Sequence, residues 1–269
     1  DNGAGGSTSV DNIASSANGL FARRSTLGLQ GNFGEVRMGR DYTPTFNNLT
    51  TAVHPFGTNG VGNAGQLFYP VAAGGTTPRT HVRASNSIAY LTPNLGGFSA
   101  HVMWANAGAA AAAGTDNGRY VGARLAYRAK DFTVSAATGK TEYATGDYTQ
   151  SNIGATYRMG PARLSYLWGQ NKVGVTSTKA NMIGVQYQIG KGEVRAAFTT
   201  LKAKGVANDA TQLAVGYVHS LSKRTALYTA YSNVDNKGVG TGFSVGGGLR
   251  PTTPGGNSSG LEFGVRHSF

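Results

Sequence analysis

The sequence predicts an all-β fold, a transmembrane antiparallel β-barrel, and three observations support this class. The last nine residues alternate between an apolar face and a face of polar or small residues, as an extended strand does. The apolar face consists of Leu261, Phe263, Val265 and Phe269, with His267 as its polar member. Charged residues make up only 13% of the chain and glycine is abundant, with 41 in 269 residues, whereas soluble domains carry about 25% charge. No apolar run approaches the roughly 18–20 residues of a membrane-spanning helix, so strands of alternating polarity would have to cross the membrane.

Alternating segments recur along the whole chain and predict thirteen strands. They lie near Leu20–Gln30, Glu35–Tyr42, Asn86–Thr92, Phe98–Ala105, Arg119–Arg128, Phe132–Glu142, Thr149–Met159, Ala162–Gln170, Asn181–Ile189, Glu193–Lys202, Thr211–Ser220, Thr225–Asn233 and Ser259–Phe269. Tight turns rich in Gly, Asn and Pro alternate with longer connections, one of which extends from Thr43 to Ser85. Short turns on one rim and long loops on the other are typical of outer-membrane barrels. We therefore treat residues 1–269 as one barrel domain.

Thirteen is an odd number, and this has a consequence for closure of the barrel. Bacterial single-chain barrels have even strand numbers, and an unpaired edge in hydrocarbon costs several kcal/mol for each unsatisfied backbone group. Either the count is wrong by one or the sequence lacks its beginning. The chain opens with Asp1-Asn2-Gly3, without Met or an apolar leader, which indicates a processed or truncated chain.

Four blocks in the chain resemble the general diffusion porins of β-proteobacteria, and the match is closest to their anion-selective members. The blocks are Phe21–Asp41, Arg83–Tyr90 with the following Pro93–Phe98, Gly216–Thr225, and the last strand. The resemblance implies a sixteen-stranded outer-membrane barrel that forms homotrimers among lipid and lipopolysaccharide. It places the first block at family strands four and five, so about three strands would be missing. It also makes Phe269 the assembly signal.

The connection from about 43 to 85 resembles the family's third loop, which folds into the lumen and narrows it. His54-Pro55-Phe56-Gly57 stands where many relatives have P-E-F-G, and no Asp or Glu occurs between Tyr42 and Ser85. The resemblance therefore implies a constriction loop without negative charge. The alternative interpretation is a flexible surface loop.

Strand parity then assigns arginines to the lumen, because an arginine on the lipid face costs roughly 2–4 kcal/mol at mid-bilayer. The arginines assigned inward are Arg37, Arg124, Arg128, Arg158, Arg163 and Arg266. The inward acids are fewer, namely Glu35, Glu193 and Glu262. By resemblance Arg23 and Arg83 line the constriction, although parity places Arg24 inward and Arg23 outward unless a bulge intervenes. Together with a net charge of +12, this predicts a positively charged lumen that prefers small anions. Alternatively, Arg23, Arg24 and Arg83 bind lipopolysaccharide phosphates at the rim.

Other function classes fit the sequence less well. The five histidines have no Cys partners and no carboxylates at metal-ligand spacing, so we expect no metal, no cofactor and no enzyme. The basic residues are scattered singly in strands rather than clustered, which disfavours nucleic-acid binding. A soluble β-sandwich would not contain so long a loop. A structural or adhesive outer-membrane barrel with little conductance remains the alternative, and it would need bulky interior side chains.

Overall fold

The computed structural model describes residues 23–50, 53–69, 79–106, 118–143, 146–205, 207–238, 242–247 and 251–269. Thirteen strands dominate these residues. They are β1 (Ser25–Gly31), β2 (Gly34–Tyr42), β3 (Arg83–Leu91), β4 (Phe98–Ala105), β5 (Tyr120–Arg128), β6 (Phe132–Thr141), β7 (Tyr148–Met159), β8 (Ala162–Val173), β9 (Thr176–Ile189), β10 (Gly192–Lys204), β11 (Asn208–Ser220), β12 (Thr225–Gly238) and β13 (Ser258–His267). Two short α-helices, α1 (Pro44–Thr50) and α2 (Gly65–Phe68), and 3-10 turns at Arg79–His81 and Val245–Gly247 complete the structure.

All thirteen strands predicted from the alternation are confirmed, and several extend further than predicted. The first was predicted to begin at Leu20, but β1 begins at Ser25, after Arg23 and Arg24, and residues 20–22 lie outside the described part of the chain. The expected longer connection between β8 and β9 is wrong, because only Gly174 and Val175 separate the two strands. The missed ends, such as Thr178 and Lys179 in β9, have polar side chains on both faces. Alternation of hydrophobicity therefore marks only the membrane-facing part of a strand, and these hairpins continue beyond it.

The strands form one antiparallel sheet in sequence order, from β1 to β13, with each strand paired to its chain neighbours. The ladders are regular except between β2 and β3, where the register shifts between Gly39 and Asp41. Asn86, opposite this shift in β3, has a positive φ of 52°. Within the described residues no pairing joins β13 to β1. None of the helices in the described part of the chain has the length and apolar character needed to cross a membrane.

The two faces of the sheet differ in chemistry, as the alternation predicts. One face presents exposed large apolar side chains on nearly every strand, which we call the outer face. Examples are Leu125, Ile153, Tyr166, Ile183, Phe198, Leu213, Tyr231 and Phe263. The opposite, inner face contains buried polar and small residues such as Ser135, Asn152, Thr199, Gln212 and Ser232. A sheet with an exposed apolar outside and a protected polar inside is what a lipid-surrounded barrel requires.

Aromatic residues lie toward the turn ends of the strands. Tyr90, Tyr157, Tyr187 and Tyr217 are exposed on the outer face, and Tyr127 is in contact with the rings of Phe98 and Phe132. The turns on this rim are short: Gly160 and Gly190, both with positive φ, open connections of only two residues. This rim therefore combines tight turns with an aromatic belt.

The largest buried apolar cluster does not lie within the sheet but between the sheet and the connection from β2 to β3. Its members include Leu49, Val53, Leu67 and Phe68 from that connection and Leu167, Met182, Leu201 and Val234 from the inner face. Burial of these side chains fixes the connection against the wall.

Candidate functional site

The connection from β2 to β3 lies against the inner face, and we refer to its described residues between Thr43 and Tyr69 as the inner loop. Its first helix, α1, lies beside β5, β6 and β7. Further along, Val61 reaches β13 at Glu262, and Phe68 returns to β8 at Asn171. The inner loop therefore crosses the inner face from β5 to the last strand.

Helix α1 is held by a pair of buried asparagines. Asn48 Nδ2 donates to Asn152 Oδ1 at 2.7 Å, and Asn152 Nδ2 donates to the carbonyl of Thr45 at 3.1 Å. Arg124 Nε donates to Asn48 Oδ1 at 2.9 Å. Arg124, predicted to line the pore, does lie on the inner face, but its guanidinium is in contact with the loop and serves in part as an anchor.

The segment His54–Gly57 is packed on strands β9 to β11. The carbonyl of Pro55 accepts a hydrogen bond from Arg195 Nη1 at 3.1 Å. Gly184 and Gly216 make room for the segment, since a Cβ at these positions would lie 2.6 Å from Pro55 Cγ and 2.8 Å from Phe56 Cε1. These contacts differ from those of a flexible surface loop, which was the alternative interpretation of this segment.

His54 is the one titratable side chain of this segment. Its Nδ1 accepts a hydrogen bond from the backbone N–H of Phe56 at 3.2 Å, and its Nε2 is buried without a hydrogen-bond partner among the described residues. Burial lowers the pKa of His54 from its ordinary value of 6.5 to about 4. The imidazole is therefore neutral near pH 7 and contributes no charge to the inner face.

Amide and carboxylate side chains of the wall form hydrogen bonds with the backbone of the rest of the loop. Gln212 Nε2 donates to the carbonyl of Asn63 at 3.2 Å, and Asn171 Nδ2 donates to that of Phe68 at 3.0 Å. Glu262 Oε2 accepts from the backbone N–H of Val61 at 3.2 Å. The loop itself has no acidic residue, so the carboxylates near it come from the wall.

Five arginines gather where the loop leaves β2, and we call them the arginine cluster. They are Arg23, Arg24, Arg37, Arg40 and Arg83. The register shift opposite Gly39–Asp41 places an extra residue in β3, and beside it the consecutive residues Arg40 and Asp41 of β2 are both buried, with relative exposures of 8% and 3%. Strict alternation would have placed these two side chains on opposite faces.

Two carboxylates neutralise part of the cluster. Arg37 pairs with Glu35 at 2.7 Å and with Asp41 at 2.5 Å, while Arg24 Nε lies 3.0 Å from Asp41 Oδ1. Within the described residues, these ion pairs compensate the charges of Arg24 and Arg37. Arg37 lies on the inner face, as predicted, but its own charge is balanced by its two partners.

Arg23 and Arg83 converge on one phenol. Arg23 Nε and Arg83 Nη2 donate to the hydroxyl of Tyr42 at 3.1 and 3.2 Å, and the Arg83 guanidinium lies 4.7 Å from the centroid of the same ring. Arg83 Nε is buried and has no hydrogen-bond partner among the described residues. Strand parity does not assign Arg23 and Arg24 to a face of the sheet, because both residues precede β1, which begins at Ser25.

The remaining predicted arginines lie toward the turn rim. Arg128 ends β5 and is exposed, and Arg158 is directly opposite Arg163 across the β7–β8 ladder. They share the inner-face parity of their strands but lie apart from the arginine cluster. Phe269, the predicted assembly signal, is fully exposed, and its ring contacts His267 at 5.0 Å between centroids.

Sequence reasoning missed three residues of this site: Arg40, Asp41 and Arg195. Asp41 has the same parity as Glu35 and Arg37, so alternation along β2 could have identified it. Arg195 likewise has the parity of Glu193, to which it is paired through Nε. Arg40 could not have been found in this way, because the register shift that buries it has no unambiguous signal in the sequence.

Comparison with known proteins agrees with this architecture. The chain matches the Gram-negative porin family over residues 1–239. It is 37% identical over 266 residues to outer membrane porin protein 32 of Delftia acidovorans, covering 93% of this chain and 74% of that protein.

Among solved structures, the anion-selective porin from Comamonas acidovorans superposes with a TM-score of 0.76 at 32% identity, covering 92% of this chain and 78% of that one. OmpT of Vibrio cholerae superposes with a TM-score of 0.61 at 16% identity, covering 91% and 80%, and supports the fold alone. The exposed apolar outer face, the polar inner face and these matches agree: the chain belongs to the family of Gram-negative porins, β-barrel channel proteins of the bacterial outer membrane.

Proposed function

We propose that this porin conducts small hydrophilic solutes passively, prefers anions, and uses the inner loop as its constriction. The observation that carries the proposal is the arginine cluster at the root of an acid-free loop, where Arg23 and Arg83 meet at the Tyr42 hydroxyl without a carboxylate between them. A ring of excess positive charge lowers the barrier to anion entry while the ion remains hydrated enough to leave.

The contacts of the inner loop support its role as a constriction. Its anchors span the inner face from Arg124 on β5 to Glu262 on β13. A segment pinned at both ends across a lumen reduces the open cross-section and holds its position during permeation. Arg83, whose buried Nε has no partner among the described residues, retains a donor for a passing anion or its water.

The assembly around this channel belongs to the same proposal. The family resemblance implies a homotrimer within outer-membrane lipid, with Phe269 as assembly signal and Arg128 and Arg158 lining the path at the turn rim. The relative from Comamonas acidovorans is described as anion-selective, which supports the same preference here. No catalytic step, metal or cofactor is needed for passive conduction.

The test is the reversal potential of the purified protein in a planar bilayer under a KCl gradient. We expect the sign set by faster chloride flow, and we expect Arg83→Gln to move the potential toward zero. Arg224→Gln, in the exposed turn between β11 and β12, removes the same charge far from the cluster and should leave the potential nearly unchanged. A cation preference would overturn the proposed selectivity. Absence of conductance in correctly folded protein would favour the adhesive barrel instead.

A further inference from the structure

Four lysines lie together on the outer face, at the ends of β8, β9 and β10 on the rim opposite the turns at Gly160 and Gly190. We call Lys172, Lys179, Lys202 and Lys204 the lysine patch. Lys179 is directly opposite Lys202 in the β9–β10 ladder, while Lys172 and Lys204 are opposite the same residue, Ser177. All four side chains have outer-face parity and are exposed.

The patch lies where the outer face changes from apolar to polar. Along β9 the outer residues run from Ile183 through Asn181 to Lys179, and along β10 they run from Phe198 through Thr200 to Lys202. Strand β8 shows the same change, from Trp168 through Gln170 to Lys172. Strands β9 and β10 place these three kinds of residue directly opposite one another, and β8 repeats the same order two residues further toward this rim. Such a gradient marks the boundary between acyl chains and headgroups.

The charge of the patch is largely unbalanced. Lys202 pairs with Asp209 at 2.8 Å, but in the described part of the chain no carboxylate pairs with Lys172, Lys179 or Lys204. Like charges directly opposite across a ladder are destabilising, and here Lys179 faces Lys202. Elsewhere on this rim the lysines are compensated: Lys140 by Glu142 and Asp147, and Lys237 by Asp235 at 3.8 Å.

We propose that the lysine patch binds the phosphate groups of a phosphorylated lipid in the outer leaflet of the membrane. The rim away from the tight turns faces the cell exterior in outer-membrane barrels, so the patch meets the headgroups of that leaflet. Each lysine near an anionic surface contributes about 1 kcal/mol of attraction. The acyl chains of the same lipid lie against Trp168, Ile183 and Phe198 directly below.

A lipid fits the patch better than free phosphate does. The lysine side chains are exposed, and no buried donor surrounds them to form a closed anion pocket. Soluble phosphate would remain hydrated at such a surface, whereas a lipid adds contact with the apolar band and is already held at the right height. This inference depends on the outer-membrane location and not on the proposed anion preference of the channel.

The experiment uses the purified folded protein in neutral detergent micelles and fluorescent diphosphorylated lipid A as the probe. The variant Lys172→Gln, Lys179→Gln, Lys204→Gln removes the three lysines without ion pairs and retains Lys202 with Asp209. The matched control, Lys130→Gln, Lys191→Gln, Lys223→Gln, removes three exposed lysines from the tight turns of the opposite rim. We expect roughly tenfold or greater weakening of lipid A binding in the patch variant, and little change in the control.

Three further measurements identify the ligand and distinguish lipid binding from channel selectivity. Dephosphorylated lipid A should bind the wild type and the patch variant equally weakly, and inorganic phosphate at millimolar concentration should not displace the probe. Equal affinity of the wild type and the patch variant for diphosphorylated lipid A would overturn the proposal, as would displacement by inorganic phosphate. The reversal potential of the patch variant should stay anion-preferring, so a loss of lipid binding can be told apart from a loss of channel selectivity.

Discussion

Replacement of Asp41 by Asn should increase anion selectivity, because this carboxylate neutralises part of the arginine cluster. Asp41 is almost fully buried and contacts both Arg24 and Arg37, at 3.0 and 2.5 Å. Its removal would make the net local charge more positive by one unit. Arg37 would keep its second partner, Glu35, at 2.7 Å, so the guanidinium would not lose all compensation.

The size of the effect follows from Coulomb's law. A unit charge about 7 Å from a permeating ion in a water-like medium contributes roughly 0.6 kcal/mol. Screening at about 0.1 M salt, where the Debye length is about 10 Å, reduces this to about 0.3 kcal/mol. Because the charge favours the anion and disfavours the cation equally, the anion-to-cation permeability ratio should rise about threefold.

Reversal potentials of Asp41→Asn in planar bilayers under a KCl gradient would measure this ratio. Asp147→Asn is the matched control, since it deletes an equal charge that pairs with Lys140 on the outer face at 2.7 Å. A normal conductance with an unchanged reversal potential for Asp41→Asn would refute the reasoning. It would mean that permeating ions do not pass within reach of the arginine cluster.

Three further predictions concern the inner loop, and chymotrypsin cleavage within residues 53–69 reports its detachment. Gly184→Val should displace Pro55 at an overpacking cost of about 1–3 kcal/mol and accelerate cleavage. Asn152→Ala should act similarly, at about 1–3 kcal/mol, because it removes the shorter hydrogen bond of the buried Asn48 amide and the bond to the Thr45 carbonyl. Acid should also weaken attachment: in the detached loop His54 binds a proton below about pH 6.5, whereas in the packed loop burial lowers its pKa to about 4. The free energy that holds the loop against the wall should therefore decrease as the pH falls from about 6.5 to about 4, by up to about 3 kcal/mol. His54→Gln should make the cleavage rate less dependent on pH.

Controls for these predictions come from the outer face. Ala196→Val introduces the same valine side chain as Gly184→Val but points toward lipid, and it should not change cleavage. Asn181→Ala removes an amide whose oxygen accepts a hydrogen bond from the Tyr166 hydroxyl on the outer face at 3.0 Å. It tests whether the loss of any strand amide is enough to accelerate cleavage of the loop. Faster cleavage in either control would show that the barrel as a whole, rather than the loop contact, had been destabilised.

The alternation of side chains predicted the strands and their faces because lipid outside and water inside impose a period of two on every strand. It failed where that constraint ends. The upper part of β9, from Thr176 to Ala180, lies beyond the apolar band and was predicted as a connection. It failed again at the Gly39–Asp41 shift, since a bulge changes which face a side chain occupies without changing composition.

The contacts of the loop could not be predicted from alternation at all. They depend on which inward glycine or amide meets which loop residue after the chain has crossed the sheet, as in Gly216 with Phe56 and Gln212 with Asn63. Such pairs are separated by well over a hundred residues and carry no local signal. The resemblance of His54–Gly57 to a family motif located the loop, but not the wall residues that hold it.

An inward arginine in this protein does not automatically add to the field in the lumen. Arg124 and Arg195 donate to Asn48 and to the Pro55 carbonyl, and Arg195 is also paired with Glu193. Arg37 is balanced by two carboxylates. The unbalanced charge is therefore concentrated where Arg83 meets Tyr42 and along the turn rim. A count of inward arginines therefore overestimates the electrostatic attraction for anions. Selectivity should respond most to substitutions that change the net charge at the root of the loop.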